Sequence, residues 1–191
     1  MDALTHAVES FINSAGSPVT DAYACEAIFL IGKHLRAYVA NPKDTEAAGA
    51  MLVASSLAGV AFGIARLGDA HAMAHPLGGF FDVPHGLANA ILLPHVMRFN
   101  LLADCGKYAR VAQCLGEDTS GASDQDAARL AITAVEELCL DLGLPRTLAE
   151  VGVAEDAIAA MSADAMQSGN IAVNPRQTAI EDIKALYREA M

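Results

Sequence analysis

The strongest constraint in this sequence is a periodicity. Apolar residues recur at three- and four-residue spacings along most of its 191 positions, and no run alternates apolar with polar long enough to make a half-buried strand. Alanine supplies 39 residues and aromatics only 5%. That balance favours packed helices, because alanine loses no side-chain entropy in a helix whereas sheets draw on β-branched and aromatic residues. The expected fold class is all-α. Apolar spacing and breakers predict helices over 2–14, 19–40, 44–67, 86–103, 104–115, 124–142, 154–163 and 176–190. Ser14-Ala15-Gly16-Ser17-Pro18 reads as a turn, with Thr20 or Asp21 capping the helix after it. Asn41-Pro42 closes that helix, since the residue before proline is disfavoured in the α region. Residues 116–124 are the most loop-like, and composition shifts there from an apolar, histidine-bearing part to a more charged one. Both parts are helical and short enough to pack together, so 1–191 reads as a single domain.

Charge narrows the partners. Twelve Lys+Arg against 23 Asp+Glu give −11, which argues against nucleic acid or an anionic membrane surface. Adjacent acidic pairs such as Glu136-Glu137 and Glu181-Asp182 read as a solvated face. Residues 47–65 form 19 consecutive uncharged positions, near the length of a bilayer span. They hold seven Ala, three Gly and two Ser and lack an aromatic belt, so they read as a buried central helix. Cys25, Cys105, Cys114 and Cys139 contain no CxxC pair, and reduced thiols in a cytoplasmic protein are expected. The opening MDALTHAVES has no cationic n-region of a signal peptide. Neither GxGxxG nor GxxxxGK[ST] occurs, so the usual phosphate-binding loops are absent from this stretch.

Chemistry concentrates in the histidines. Asp2 and His6 lie four apart, on one face of a helix, where both can reach one ion. The richer context is His71-Ala-Met-Ala-His75-Pro-Leu-Gly-Gly-Phe-Phe-Asp-Val-Pro-His85-Gly, in which His71 and His75 again share a helical face. Pro76 and Gly78-Gly79 are expected to break the chain, and Pro84-His85-Gly86 sets a third histidine at the start of the next helix. From 70 to 97 only Asp82 is charged. An imidazole in apolar surroundings has lost hydration, so three within 15 residues point to a shared ion or a catalytic task. Spacing does not say which of His71, His75 and His85 would be left out of the ligand set. His34 reads as a core histidine, and the spacing of His95 assigns it no role. Three imidazoles with a carboxylate suit Fe(II), Zn(II), Ni(II) or Co(II) and suit Ca(II) poorly.

The strings MDALTHAVESF and, at 65–100, ARLGDAHAMAHPLGGFFDVPHGLANAILLPHVMRFN closely resemble the iron-containing (group III) alcohol dehydrogenases, as does Asn174-Pro175-Arg176 before a final helix. The resemblance implies a C-terminal helical metal-binding domain, in enzymes whose N-terminal dinucleotide-binding domain is absent from this chain. It implies metal ligands at Asp2, His6, His71 and His85, with Fe(II) preferred and Zn(II) as the alternative. It puts His75 beside the nicotinamide and substrate, in cofactor positioning or proton relay. The implied reaction is oxidation of a small alcohol, or reduction of an aldehyde or ketone, with hydride passing to or from NAD(P). The chain alone would be inactive until another domain held NAD(P), and an apolar face bared near the metal would promote homo-oligomers. The alternative is a non-catalytic metal-binding or interaction domain that pairs with a separate dinucleotide-binding chain.

Overall fold

A computed structural model describes all 191 residues, which form nine α-helices and no strand. In chain order these are α1 (Asp2–Ile12), α2 (Pro18–Ala40), α3 (Thr45–Ala65), α4 (Asp69–Phe81), α5 (His85–Asn100), α6 (Cys105–Leu115), α7 (Asp124–Asp141), α8 (Ile158–Ala165) and α9 (Ile180–Glu189). One 3₁₀ turn follows α5, two lie between α7 and α8, and one precedes α9. The local chemistry of the ends explains most boundaries. Ser17, rather than Thr20 or Asp21, caps α2: its hydroxyl accepts from the Thr20 N–H while the Thr20 hydroxyl accepts from the Ser17 N–H. Pro18 follows at the first helical position, where no N–H is needed. Asp44 caps α3, Ser123 caps α7, and Gly116 in the left-handed region ends α6.

The interior divides into two apolar clusters. The larger joins α1, α2, α3, α6 and α7 with the C-terminal end of α5, around Leu4, Ile28, Met97 and Val135. The smaller joins α4, α5, α8 and α9, around Met73, Leu92, Met161 and Tyr187. The division does not follow the composition shift at 116–124, because α4 and α5 pack with the late helices α8 and α9 while α7 packs with the early ones. Helix α5 belongs to both clusters.

Three expectations need correction. Helix α3 is not a buried central helix. Only Ala47, Ala54, Ala58, Ala61 and Ala65 are buried, where α3 packs on α1 and α2, and Leu52, Val53, Val60 and Ile64 are exposed. It is the one helix long and apolar enough to cross a membrane, at 21 residues and mean hydropathy 1.8 with 22% of that window buried. A near-uniform apolar composition hides which face is packed, because small alanines alone make the close contact.

Residues 69–81 do not break at Pro76 or Gly78-Gly79 but continue as α4 to a left-handed Asp82. Pro76 removes the N–H that the Ala72 carbonyl would use. One residue on, the Tyr187 hydroxyl donates to the Met73 carbonyl at 2.6 Å. The buried stripe Ala70, Met73, Ala74 and Leu77 then holds the helix against α5 and α8. Finally, α9 starts at Ile180 rather than 176, because Asn174 and Thr178 bond into the core and keep 174–179 out of a helix.

Candidate metal centre

The seam between the two clusters is polar. Buried Glu9, Asn13, Asp69, His71, Asn89, Asn100, Asn174 and Thr178 lie along or beside it, in a protein with few other buried polar side chains. Helix α1 approaches from the larger cluster with Asp2 and His6 on one face. Helix α4 brings His71 from the smaller one, and α5 begins at His85. One ligand atom each from Asp2, His6 and His71 lie within 4.8 Å of one another. His85 closes the fourth side, with its Nε2 3.7 Å from Asp2 Oδ1, and Asp2 Oδ2 lies 3.7 Å from His6 Nδ1. The rings are stacked: His6 lies between Phe62 and His71, each centroid 4.4 Å away. The structure thus gathers Asp2, His6 and His71 and sets His85 beside Asp2.

A second set of residues fixes these four. The buried Glu9 carboxylate takes two donors: Oε1 accepts the Ala70 N–H at 2.6 Å, and Oε2 lies 2.6 Å from His71 Nδ1. With both Glu9 oxygens acting as acceptors, Nδ1 carries the hydrogen and Nε2 is left with a lone pair. Glu9 therefore also serves as the cap that α4 lacks locally, a negative charge at a helix N-terminus. Gly68 makes this approach possible, since a Cβ there would sit 3.0 Å from Glu9 Oε1 and 3.1 Å from Asn174 Oδ1. At the other end, Asn89 Nδ2 donates to Asp2 Oδ1 at 2.8 Å and lies 3.1 Å from His85 Nε2. Gly86 lets α5 close on α1, because its Cβ would meet Asp2 Cβ at 3.2 Å.

Behind this shell runs a hydrogen-bonded network. Thr178 donates to Asp69 Oδ2 at 2.6 Å, and Asn174 and Asn100 pair through both amides at 2.8 and 2.9 Å. Asn13 donates to the Ala65 and Arg66 carbonyls, pinning the end of α3 to α1. Burial, with the Glu9 and Asp182 charges, pushes the Asp69 carboxyl up to about 7, so it keeps its proton far more readily than an exposed aspartate.

The donor set fits a divalent transition metal. The observation that decides it is His71 Nε2, which is buried and has no hydrogen-bond partner. An imidazole whose Nδ1 is held by a carboxylate while Nε2 points unpaired at other donors is the arrangement a metal ligand requires. Leaving that nitrogen without a partner costs about 1–3 kcal/mol. Burial, then the neighbouring His71, lowers His6 to about 4, so His6 is a neutral imidazole with a free lone pair at neutral pH. For Asp2, burial acts upward but is outweighed by the Asn89 hydrogen bond and by His6, His85 and His71, so its carboxyl falls below the usual value.

His75 lies beside this group but outside it. It is exposed, and its ring stacks on His85 with centroids 5.4 Å apart and planes 14° from parallel. Burial, His85 and His71 lower it, so it too is neutral at neutral pH. His34 is not a core residue: it is part-exposed on α2, with the buried positions at Ile31 and Leu35. His95 is remote from the cluster and lines a surface cavity with Arg98, Arg146 and Glu136.

Sequence reasoning missed Glu9, Phe62, Asn89 and the Asn100–Asn174–Thr178–Asp69 network. Two of these carried a signal. Glu9 completes an i, i+4, i+7 stripe with Asp2 and His6, and Asn89 lies one turn after His85. Phe62 and the Asn100–Asn174 and Thr178–Asp69 links join residues far apart in sequence, the latter two across 74 and 109 positions, and have no local signature.

The whole chain, residues 1–191, matches the family described as "Fe-containing alcohol dehydrogenase family, C-terminal". It is 49% identical over 190 residues to the 1,3-propanediol dehydrogenase of Citrobacter freundii, covering 100% of this chain and 49% of that protein. It is 40% identical over 191 residues to the NAD-dependent methanol dehydrogenase of Bacillus methanolicus, covering 100% and 50%. Among solved structures, the alcohol dehydrogenase from Oenococcus oeni superposes with a TM-score of 0.98 at 41% identity, over 100% of this chain and 50% of that one. The chain therefore spans about half the length of these relatives.

Proposed function

This chain belongs to the Fe-containing alcohol dehydrogenase family, and from that premise we propose that it forms the metal- and substrate-binding half of an NAD(P)-dependent alcohol dehydrogenase. The observation that carries the reading is the unpartnered His71 Nε2, buried and aimed among donors of Asp2 and His6 with His85 alongside. Asp2, His6, His71 and His85 hold one divalent ion, Fe(II) by preference with Zn(II) as the alternative. Bound there, such an ion supplies Lewis-acid polarisation of an alcohol or carbonyl oxygen.

The chain's own residues prepare that chemistry. Glu9 fixes the His71 tautomer, and Asn89 orients Asp2 and His85. Phe62 covers the His6 ring and keeps water from that side. His75 stands at the exposed edge of the cluster, neutral and stacked on His85, where it can orient a nicotinamide or pass the alcohol proton to solvent. The dinucleotide is held outside these 191 residues, by a domain or chain that packs over the His75 side. The 1,3-propanediol and methanol dehydrogenases among its relatives favour a small alcohol as substrate, such as a diol or methanol. The four free thiols favour a reducing compartment such as the cytoplasm.

Metal analysis of the wild-type chain and of His71→Ala, followed by an NAD(P)-linked alcohol oxidation assay, tests this reading. Stoichiometric metal in the wild type, its loss in the variant, and no turnover without a dinucleotide-binding partner are expected. Turnover by these 191 residues alone, or metal retained by His71→Ala, overturns it.

A further inference from the structure

Outside the metal centre, one cluster of reactive groups has no place in the proposed reaction. Helices α2 and α6 run parallel, with Asp21 and Lys107 paired at 3.3 Å near their starts. Toward their far ends the backbones come into contact, since a Cβ on Gly32 would lie 3.1 Å from Leu115 Cα. Cys25 lies on α2 and Cys114 on α6 along this helix pair. Both line one surface cavity of about 470 Å³, with Glu26 and Phe29 from α2 and Arg110 and Gln113 from α6. Cys25 is part-exposed and Cys114 is buried.

We propose that Cys25 and Cys114 form a peroxide-sensitive thiol pair, with Cys25 as the attacking sulfur and Cys114 as the resolving one. The cavity opens on Cys25 and admits a small, uncharged oxidant such as hydrogen peroxide. The Cys25 thiolate attacks one peroxide oxygen; the S–O bond forms, the O–O bond breaks, and the departing hydroxide takes a proton to leave as water. Sulfur is oxidised by two electrons and peroxide is reduced by two, giving the sulfenic acid of Cys25. Cys114 then attacks that sulfur as its own proton passes to the leaving hydroxyl; the S–S bond forms, the S–O bond breaks, and a second water departs. The product is a disulfide that bolts α2 to α6, reversible by a dithiol.

The division of roles follows from the surroundings of the two sulfurs. The neighbouring Cys114 thiol, then the Arg110 guanidinium, lowers the Cys25 thiol to about 7 against the upward pull of burial. Cys114 is pushed the other way by the same partner and by its burial. Neither Cys105 nor Cys139 lines this cavity, and Cys139 is buried and raised to about 11.

The test is limited hydrogen peroxide on the full 191-residue chain, followed by thiol counting and a non-reducing peptide map. The account expects free thiols to fall from four to two, a link between the Cys25 and Cys114 peptides, and full reversal by dithiothreitol. In Cys114→Ser, dimedone labels Cys25; in Cys25→Ser, neither label nor link forms. Cys114→Ala replaces the serine variant should a buried hydroxyl unfold it. A link through Cys105 or Cys139, four thiols unchanged, or dimedone labelling of Cys114 in Cys25→Ser would overturn the proposal.

Discussion

Replacing Glu9 with glutamine is the perturbation that isolates how the buried carboxylate behind His71 holds the candidate metal site. The residue and His71 are each 1% exposed, so water cannot compensate for a lost contact. Glu9 accepts two hydrogen bonds, both of 2.6 Å, from the Ala70 N–H and from His71 Nδ1. Glutamine has one acceptor and one donor at these positions. If its carbonyl faces His71, its amide meets the Ala70 N–H donor to donor, and α4 loses its cap. If it flips, the amide faces Nδ1, which drives the hydrogen to Nε2 and blocks the atom that would bind metal. The first outcome leaves about 1–3 kcal/mol of buried hydrogen bonding unmet, and the second keeps both contacts but must reverse the His71 tautomer before metal can bind. Expressed as affinity, this is about 10- to 100-fold, the usual scale for an outer-shell partner. Anaerobic competition against a metallochromic chelator reads that loss directly, with a circular dichroism melt to establish that the variant is folded. A folded Glu9→Gln protein that binds metal within about twofold of wild type would refute the argument that Glu9 sets the His71 tautomer.

Four further outcomes follow from the same geometry. Gly86→Ala pushes Asp2 away from α5, because the new Cβ would lie 3.2 Å from Asp2 Cβ; metal affinity falls in the same chelator assay while the fold is kept. Tyr187→Phe removes the donor to the Met73 carbonyl beside Pro76 and costs about 1–2 kcal/mol in a thermal melt, and no shift in midpoint would contradict the account of why α4 survives its proline. Ala58→Leu overfills the α3 packing face and destabilises by about 1–3 kcal/mol, whereas Leu52→Ala, 72% exposed, changes stability by less than about 0.5 kcal/mol. Equal effects from the two would mean that α3 packs by another face. Alkylation at Cys25 rises with pH to half its plateau at about 7, because deprotonation makes the nucleophile; a midpoint at or above about 8.5, the ordinary thiol value, would contradict the Cys114 and Arg110 contacts.

The helical class and the histidine-rich candidate site were legible because both are written in local spacing, although spacing left open which of His71, His75 and His85 stands outside the ligand set. Asp2 and His6 lie one turn apart, and His71 to His85 fall in one uncharged stretch, so each half of the site could be read from a short window. Their union could not, because nothing in sequence says that α1 and α4 meet. Only the resemblance implied it, and the structure brings the halves to within 4.8 Å.

The misreadings share a cause. Pro76 and Gly78-Gly79 are helix breakers by intrinsic preference, yet packing on α5 and α8 outweighs that preference, with the Tyr187 hydroxyl bonded to the Met73 carbonyl across 114 positions beside the gap. Helix α3 looks like a core element because its mean hydropathy is high, but mean hydropathy carries no direction, and only its alanine face is packed. Residues 176–179 look helical because the apolar period continues, but Thr178 spends its hydroxyl on Asp69, 109 positions away. Glu9 was passed over because a glutamate on an amphipathic helix is ordinarily solvated, and only the tertiary fold buries it.

The central claim is that one divalent ion binds between α1, α4 and α5. X-ray absorption at the metal edge of the loaded chain, compared with Asp2→Asn and His85→Ala, measures it directly. The account predicts imidazole scattering from three histidines with oxygen completing the shell, and loss of one imidazole in His85→Ala alone. A spectrum without imidazole backscattering, or one that His85→Ala leaves unchanged, would contradict it.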